Sequence, residues 1–284
     1  MVRPSHLFVL CTLVPLCTLG ASGTAPAQAS TRVYPDSRPV VTTVSIPYAA
    51  RDISFPQCGM TLPEGSVTPF GVLGVNGGRP FTANPCLVEE LRWAKRLAQA
   101  PAFYANTSNP GPWRTTHWPY GQTAPMTCSG SDPNSLGCSF DYGWNAAHHS
   151  FELATTAAQR LHNVSWSNAR HRAANVDWWL DVEILNSWQT SERDTYALLG
   201  AVRALWAEGV AQVGIYSTSY QWNLLTGGSG VTRNWFAGIP VWLAGFNGHM
   251  DALAGCSRAS FTGGPVRLTQ YLGADGFDAN VVCP

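Results

Sequence analysis

Short apolar runs separated by amphipathic segments recur from about residue 50 to the end of the chain. Each run has the length and composition of a buried strand and is bounded by glycine, proline or polar residues. Two intervening segments have the apolar spacing of helices, one opened by Asn84 and Pro85 and one running from Ser191 to Gly209. The predicted strands cover residues 51–55, 70–75, 101–105, 178–183, 213–216, 240–244, 266–271 and 277–283.

Eight strands with intervening helices predict an α/β fold, a closed TIM-type (β/α) barrel. In such barrels functional sites gather at the carboxyl ends of the strands. The last two predicted strands are joined only by residues 272–276, which is too short for the crossover that a parallel pair needs. We therefore expect the last strand to run antiparallel, with Asp278 at the same face as the other strand ends.

Two carboxylates, Asp181 and Glu183, end the fourth predicted strand. Strand side chains alternate faces, so these two point to the same side. Charges are rarely buried unless they are paired or functional, which favours a functional site. A solvated strand end is the alternative.

Composition limits the classes of partner. The chain has 284 residues, of which 45% are hydrophobic and 12% charged, enough for one large core. A net charge of zero argues against nucleic acid or an anionic membrane surface as partner. Twelve tryptophans favour a ligand whose faces can be stacked upon. We expect a monomer.

The first 29 residues have the features of a secretory signal peptide. Arg3 gives a positive start, residues 7–19 form an apolar run too short to span a bilayer, and residues 27–29 are a small-x-small cleavage site. We expect residues 30–49 to be an extended leader and residues 50–284 the barrel domain. No later segment reads as a membrane span, so the protein is expected outside the cell or at the cell wall.

Six cysteines follow the signal peptide, and an even number in an oxidising compartment predicts three disulfides. Sequence alone leaves their pairing open, but the barrel layout favours Cys58–Cys86 at the site face, Cys128–Cys138 in a long third loop and Cys256–Cys283 at the opposite face. Neither a Cys-x-x-Cys motif nor a suitable His pair is present, and the consecutive His148 and His149 suit a helix surface. We expect no metal and no cofactor.

Six short motifs resemble, in order and spacing, those of the family 25 glycoside hydrolases, the Chalaropsis-type lysozymes. They are the Asp-x-Ser strand in 51–57, the Asp-x-Glu strand in 180–183, and the segments 214–217, 240–244, 269–271 and 277–280. The resemblance spans about residues 50 to 284 and looks like a divergent, secreted actinobacterial branch.

The resemblance implies a barrel with an antiparallel last strand. It also implies cleavage of the β-1,4 bond between N-acetylmuramic acid and N-acetylglucosamine, the bond that links the sugars of peptidoglycan. The acids of the site would be Asp52, Asp181, Glu183 and Asp278.

Two segments depart from the pattern of that family. Asn76-Gly77-Gly78 stands where the hydrolases usually have a polar, often charged strand end, and residues 107–145 form an unusually long third loop. Chitinase-like barrels are a competing match, but Trp179 stands where their motif needs an acid.

Glycoside cleavage needs one carboxylic acid to protonate the leaving oxygen and a second negative group at the oxocarbenium-like centre. Glu183 suits the general acid, its pKa raised by burial and by the neighbouring acids. Asp181 would stabilise positive charge or orient the 2-acetamido group of the substrate.

Further candidates come from strand ends and from the third loop. The substrate-binding candidates are Tyr104, Asn76, Tyr216, Trp242, Gln270 and Trp188. Barrel packing is the alternative for Trp242. The loop aromatics Trp113, His117, Trp118 and Tyr120 either stack on sugar faces or form a small satellite core.

These observations predict a secreted, disulfide-bonded glycoside hydrolase acting on a polysaccharide, most naturally peptidoglycan. The alternatives are a non-catalytic glycan-binding or cell-envelope barrel, and a hydrolase for a different polysaccharide.

Overall fold

A computed structural model describes residues 49–228 and 234–284. The predicted signal peptide, and all of the predicted leader except residue 49, lie outside the described residues. The strands are β1 (Ala50–Ile53), β2 (Gly71–Gly74), β3 (Ala102–Asn106), β4 (Trp178–Asp181), β5 (Val213–Ser217), β6 (Val241–Phe246), β7 (Val266–Leu272) and β8 (Asp278–Val282). The helices are α1 (Leu87–Ala94), α2 (Leu136–His162), α3 (Trp166–Ala174), α4 (Ser191–Ala207), α5 (Ser219–Thr226) and α6 (His249–Gly255).

The eight strands form a closed barrel in chain order, which confirms the predicted fold class. Neighbours from β1 to β7 pair in parallel. β8 is antiparallel to both β7 and β1, with Asn280 opposite Gln270 on one side and Ala50 on the other. The short connection between β7 and β8 therefore joins two antiparallel strands, as predicted.

The turn between β7 and β8 is closed by its own backbone and tied to β1. Gly273 donates to the carbonyl oxygen of Phe277 at 2.8 Å, and Gly276 has a φ of 81°, which favours glycine. Arg51 of β1 is fully buried and donates to Asp275 of the turn at 3.1 Å. This ion pair fixes the start of β8 relative to the first strand.

Two apolar layers hold the barrel. The interior is filled by a cluster made up of Val72, Ala102, Trp179, Tyr216, Trp242 and Leu268. A larger cluster between the strands and the helices includes Trp178, Phe151 and Leu198. Among the helices in the described ranges, none has the length and apolarity that a bilayer crossing requires.

Two predicted boundaries are wrong. β4 ends at Asp181, so Glu183 lies in the following loop rather than in the strand. The third loop ends at residue 135 instead of 145, because α2 begins at Leu136 with Ser135 as its cap. The glycines and serines at the start of α2 are weak helix formers, so packing rather than propensity sustains this turn.

The predicted disulfides are present. Their Cα atoms are 5.6 Å apart in Cys58–Cys86, 4.4 Å in Cys128–Cys138 and 5.4 Å in Cys256–Cys283. The first joins the loop after β1 to the start of α1. The last joins the ends of α6 and β8 at the opposite end of the barrel.

Helices α2 and α4 approach so closely that two glycines are required at their contact. A Cβ atom on Gly143 would lie 1.8 Å from the carbonyl oxygen of Ala197, and one on Gly200 would lie 2.0 Å from that of Phe140. Real Cβ atoms do not come this close to backbone, so any side chain at either position must separate the helices.

We predict that Gly143→Ala destabilises the protein, because the added methyl group meets backbone that cannot move aside. Overpacking costs about 1–3 kcal/mol, which in a domain of this size lowers the melting temperature by about 2–4 °C per kcal/mol. Gly130→Ala is the matched control, since a Cβ there meets nothing within 4 Å. Equal melting temperatures for the two variants would contradict the close approach of these helices.

Candidate active site

A cleft of about 360 Å³ opens at the carboxyl ends of the strands. It brings together the four acids singled out from the sequence, Asp52, Asp181, Glu183 and Asp278. The described residues that line the cleft include no Lys, Arg or His. The negative charges therefore face one another without a cationic partner in the cleft wall.

Asp52, in β1, is held by two carboxamides. Its Oδ2 accepts a hydrogen bond from Nε2 of Gln270 at 2.9 Å, and its Oδ1 accepts one from Nδ2 of Asn280 at 2.6 Å. Both oxygens thus receive N–H groups, which favours the ionised carboxylate. Asn280 lies two residues after Asp278 in β8, so the hairpin brings Asp278 to the cleft and Asn280 to Asp52 behind it.

The orientation of these two carboxamides is fixed from behind. Nε1 of Trp242, which can only donate, is 2.8 Å from Oδ1 of Asn280. The hydroxyl of Tyr216 donates to Oε1 of Gln270, also at 2.8 Å. Each carboxamide oxygen is thereby occupied, so each NH₂ group is turned toward Asp52.

Asp181, at the end of β4, is the most enclosed of the four cleft acids. The side chain is 5% exposed; its Oδ2 accepts a hydrogen bond from Nδ2 of Asn106, and its Oδ1 has no partner among the described residues. Asn76 holds Asn106 in place through reciprocal bonds to its backbone, at 3.0 and 3.2 Å. Asp181 thus has one oxygen satisfied by protein and one buried in the cleft wall without a donor.

Glu183 is half-buried, and its position is set by two neighbouring residues. Its backbone carbonyl oxygen accepts from Nε1 of Trp188 at 2.7 Å. Oε1 of Gln221, in α5, accepts a hydrogen bond from the backbone N–H of Ile184 at 2.8 Å. The same side chain also interacts with the Glu183 carboxyl. These contacts hold Glu183 in place although it lies in a loop.

Burial and mutual repulsion raise the pKa of the carboxyls. Burial, then the charge of Asp278, raises the pKa of Asp52 to about 7 against the lowering effect of its two amide donors. Burial, then the charges of Glu183 and Asp52, raises the pKa of Asp181 well above 3.8. The pKa of Glu183 is raised mainly by burial and partly by Asp278. The cleft therefore retains protons that free carboxyls would have lost.

The other candidates divide into two groups. Tyr104, Tyr216, Trp242 and Gln270 line the cleft. Asn76 and Trp188 do not line it, and instead support Asn106 and Glu183 from behind. Trp242 both packs in the barrel interior and borders the cleft, so its two interpretations are compatible.

Sequence reasoning missed Asn106, Gln221 and Asn280. Asn280 had a signal in its spacing of two from Asp278, and Asn106 had one in its place at the end of β3. Gln221 had none, because it reaches Glu183 from a helix that follows the next strand.

Of the aromatic residues in the third loop, one is buried in the satellite core and two are exposed to solvent. Trp118 is 5% exposed and packs with Tyr142 and the Cys128–Cys138 bridge, so the satellite-core interpretation is correct for this residue. Trp113 is 80% exposed and Tyr120 is 54% exposed.

The consecutive histidines lie on α2. His148 and Arg170 both contact Glu208, which ties α2, α3 and the end of α4 together. Within residues 49–228 and 234–284, no cluster of His, Cys, Asp and Glu has the arrangement of a metal site.

Comparisons with known proteins point to one fold. Residues 149–261 match the family model described as Lysozyme-like protein 1. The muramidase from Trichobolus zukalii is similar in structure, with 13% identity, 83% of this chain and 93% of the other covered, and a TM-score of 0.52. The muramidase from Acremonium alcalophilum has 14% identity, coverages of 83% and 93%, and a TM-score of 0.51.

The bacterial lysozyme from Streptomyces coelicolor is also similar, with 13% identity, coverages of 84% and 93%, and a TM-score of 0.51. No curated protein matches in a sequence search. The chain has the barrel fold of these muramidases and of this lysozyme, so the resemblance carried by its motifs is confirmed at the level of the fold.

The raised pKa of Asp181 predicts how stability depends on pH. A carboxyl whose pKa is higher in the folded than in the unfolded chain costs stability as pH rises above its ordinary value. Asp181→Asn removes that charge and keeps an acceptor for Asn106. We expect the variant to match the wild type in melting temperature below pH 3.8 and to exceed it increasingly as the pH rises above that value.

The control is Asp132→Asn, a substitution at an exposed loop position. Its difference from the wild type should change little over the same pH range. A flat difference for Asp181→Asn as well would contradict the raised pKa of the Asp181 carboxyl.

Proposed function

We propose that the chain is a secreted glycoside hydrolase that cleaves β-1,4 bonds of peptidoglycan in the manner of a muramidase. The observation that carries this proposal is the convergence of Glu183, Asp181 and Asp52 in one open cleft, each with a raised pKa. The lysozyme-like family match and the muramidases of similar fold support a glycoside hydrolase and a glycan substrate.

Glu183 is the proposed general acid. It is the acid with the longest side chain and is only partly buried, so its carboxyl can reach a glycosidic oxygen in the cleft. Its raised pKa keeps a proton available for the leaving group. The side chain of Gln221 favours the charged form of this carboxyl and so limits the rise of its pKa.

Asp181 is the proposed partner at the sugar ring. Its unpaired Oδ1 is an acceptor in need of a donor, and the N–H of a 2-acetamido group supplies one. Such a bond would orient the acetamido oxygen toward the anomeric carbon. Alternatively, the carboxylate itself faces the positive charge that develops there.

Asp52 is the proposed electrostatic support. The bonds from Gln270 and Asn280 hold it in one position and oppose the effect of burial, so above its pKa of about 7 it adds negative potential at the reacting centre. Asp278 lies at the exposed edge of the cleft, and its charge raises the pKa of both Asp52 and Glu183.

Secretion is part of the proposal. The predicted signal peptide over residues 1–29 places the barrel domain, residues 50–284, outside the cell, and three disulfides suit an oxidising compartment. The expected monomer stays a prediction.

The test is release of reducing sugars from purified peptidoglycan. Glu183→Gln keeps the shape and the neutral charge of the protonated acid but has no transferable proton, so we expect turnover to fall by about 100-fold or more. Glu152→Gln, on the exposed side of α2, is the matched control and should retain wild-type activity. Melting temperatures of all three proteins establish that they are folded.

Equal turnover by the wild type and Glu183→Gln would overturn the assignment of the acid. Binding of peptidoglycan without turnover by the wild type would favour a non-catalytic glycan-binding barrel.

A further inference from the structure

We propose that a groove at the amino-terminal end of the barrel binds an extended acidic peptide with apolar side chains between its carboxylates. The groove has a volume of about 820 Å³ and lies where α1, α2 and α3 end and where β3 and β4 begin. The four cleft acids lie at the carboxyl ends of the strands, so this site is separate from the candidate active site. It is called the basal groove below, and its walls are Lys95, residues 97–101, His162, residues 171–173 and residues 175–176.

Basic side chains from three helices meet in the basal groove. Lys95 caps α1, His162 is the last residue of α2 and Arg172 lies in the last turn of α3. Burial lowers the pKa of His162, and the charges of Arg172 and Lys95 lower it further. Because these groups repel one another, an anion placed among them is favoured.

No described acid balances these cations. The described residues that line the basal groove include neither Asp nor Glu. Within the described part of the chain, neither Lys95 nor Arg172 forms a salt bridge. Arg92 and Arg170, on the same two helices, each pair with a glutamate. The cations of the basal groove are therefore available to an anionic ligand.

The floor of the basal groove is apolar. Leu91, Phe103 and Ala158 are buried there, and Leu97 and Pro101 are half-buried. A small inorganic anion gains nothing from apolar side chains, whereas a ligand with its own apolar groups does. The lining therefore favours a ligand that is both anionic and apolar.

Exposed carboxamides complete the lining. Gln99 and Asn168 both present one to the basal groove. A carboxamide donates and accepts hydrogen bonds, and so does each peptide unit. A phosphate diester only accepts, so it would leave the carboxamide oxygens without a donor. These groups thus favour a peptide over a phosphate polymer.

The basal groove continues into a recess of about 430 Å³, and residues 99–101 and 175–176 line both. Asp177 and Arg267 also line the recess, so its one described acid has a cation beside it. A continuous channel along the end of the barrel suits a chain in extended conformation better than a single compact ion.

Helix dipoles give a competing reason for cations at this place. The carboxyl end of a helix carries partial negative charge, so Lys95, His162 and Arg172 would stabilise their helices without any ligand. That explanation predicts no affinity for an acidic peptide. Binding measurements therefore separate the two explanations.

The test is isothermal titration calorimetry of the whole protein with three synthetic peptides. The first is acetyl-Glu-Leu-Glu-Leu-Glu-amide, the second has Gln in place of each Glu, and the third has Ser in place of each Leu. We expect the first peptide to bind about tenfold more tightly than either of the others, because only it has both charges and apolar groups. Its affinity should fall as salt is added.

Two double variants test the location of the site. Lys95→Gln combined with Arg172→Gln should weaken binding of the first peptide by about tenfold. Arg79→Gln combined with Arg92→Gln is the matched control, because it removes the same charge from exposed positions outside the basal groove. The control should bind like the wild type, and melting temperatures establish that both variants are folded.

His162 reports whether the peptide occupies the basal groove. A carboxylate beside the imidazole favours its protonated form, so the first peptide should raise the midpoint of the NMR titration of His162. The peptide with Gln should leave the midpoint unchanged.

Equal binding of the acidic and the Gln peptide, no binding of either, or an equal loss in the two double variants would each overturn the proposal. An equal rise of the His162 midpoint with inorganic phosphate at the same concentration would show a simple anion site and would also overturn it. None of these outcomes bears on turnover of peptidoglycan, which depends on the acids at the other end of the barrel.

Discussion

The site depends on one electrostatic constraint, the crowding of four carboxyl groups in a cleft whose described lining offers no cation. Like charges in a partly dry site cannot all ionise freely, so protons are retained or neutral donors must compensate. Here the donors are carboxamides, from Gln270 and Asn280 to Asp52 and from Asn106 to Asp181. Carboxamides carry no charge, so they can donate hydrogen bonds to a carboxylate without cancelling its negative charge. The cleft therefore keeps its negative potential wherever a carboxyl is ionised.

The same constraint links the barrel core to the chemistry. Trp242 and Tyr216 fill the interior and also set the orientation of the carboxamides that face Asp52. The hairpin between β7 and β8 matters for a related reason: only an antiparallel β8 brings Asp278 and Asn280 to this face. A substitution in the core or the turn should thus change the pKa of the acids as well as stability.

Sequence periodicity was sufficient for the eight strands, and the short connection after β7 was sufficient for the antiparallel closure. The barrel layout then gave the disulfide pairs, and the family resemblance gave the set of acids that meet. It was insufficient where tertiary contacts override local preference. The start of α2 contains Gly137 and Gly143, and the second of these allows α2 to touch α4, so the local pattern resembles a loop. The sequence pattern could not identify Gln221 for another reason, because its contact with Glu183 joins elements that are distant in the chain.

The most direct test of the crowded, amide-compensated cleft is a site-resolved NMR titration of the Asp52 carboxyl in the wild type and in Asp278→Asn. The account predicts a midpoint near pH 7 in the wild type and a lower one in the variant, because the charge of Asp278 raises the pKa of Asp52. A wild-type midpoint near the ordinary value of 3.8, unchanged by the substitution, would contradict it.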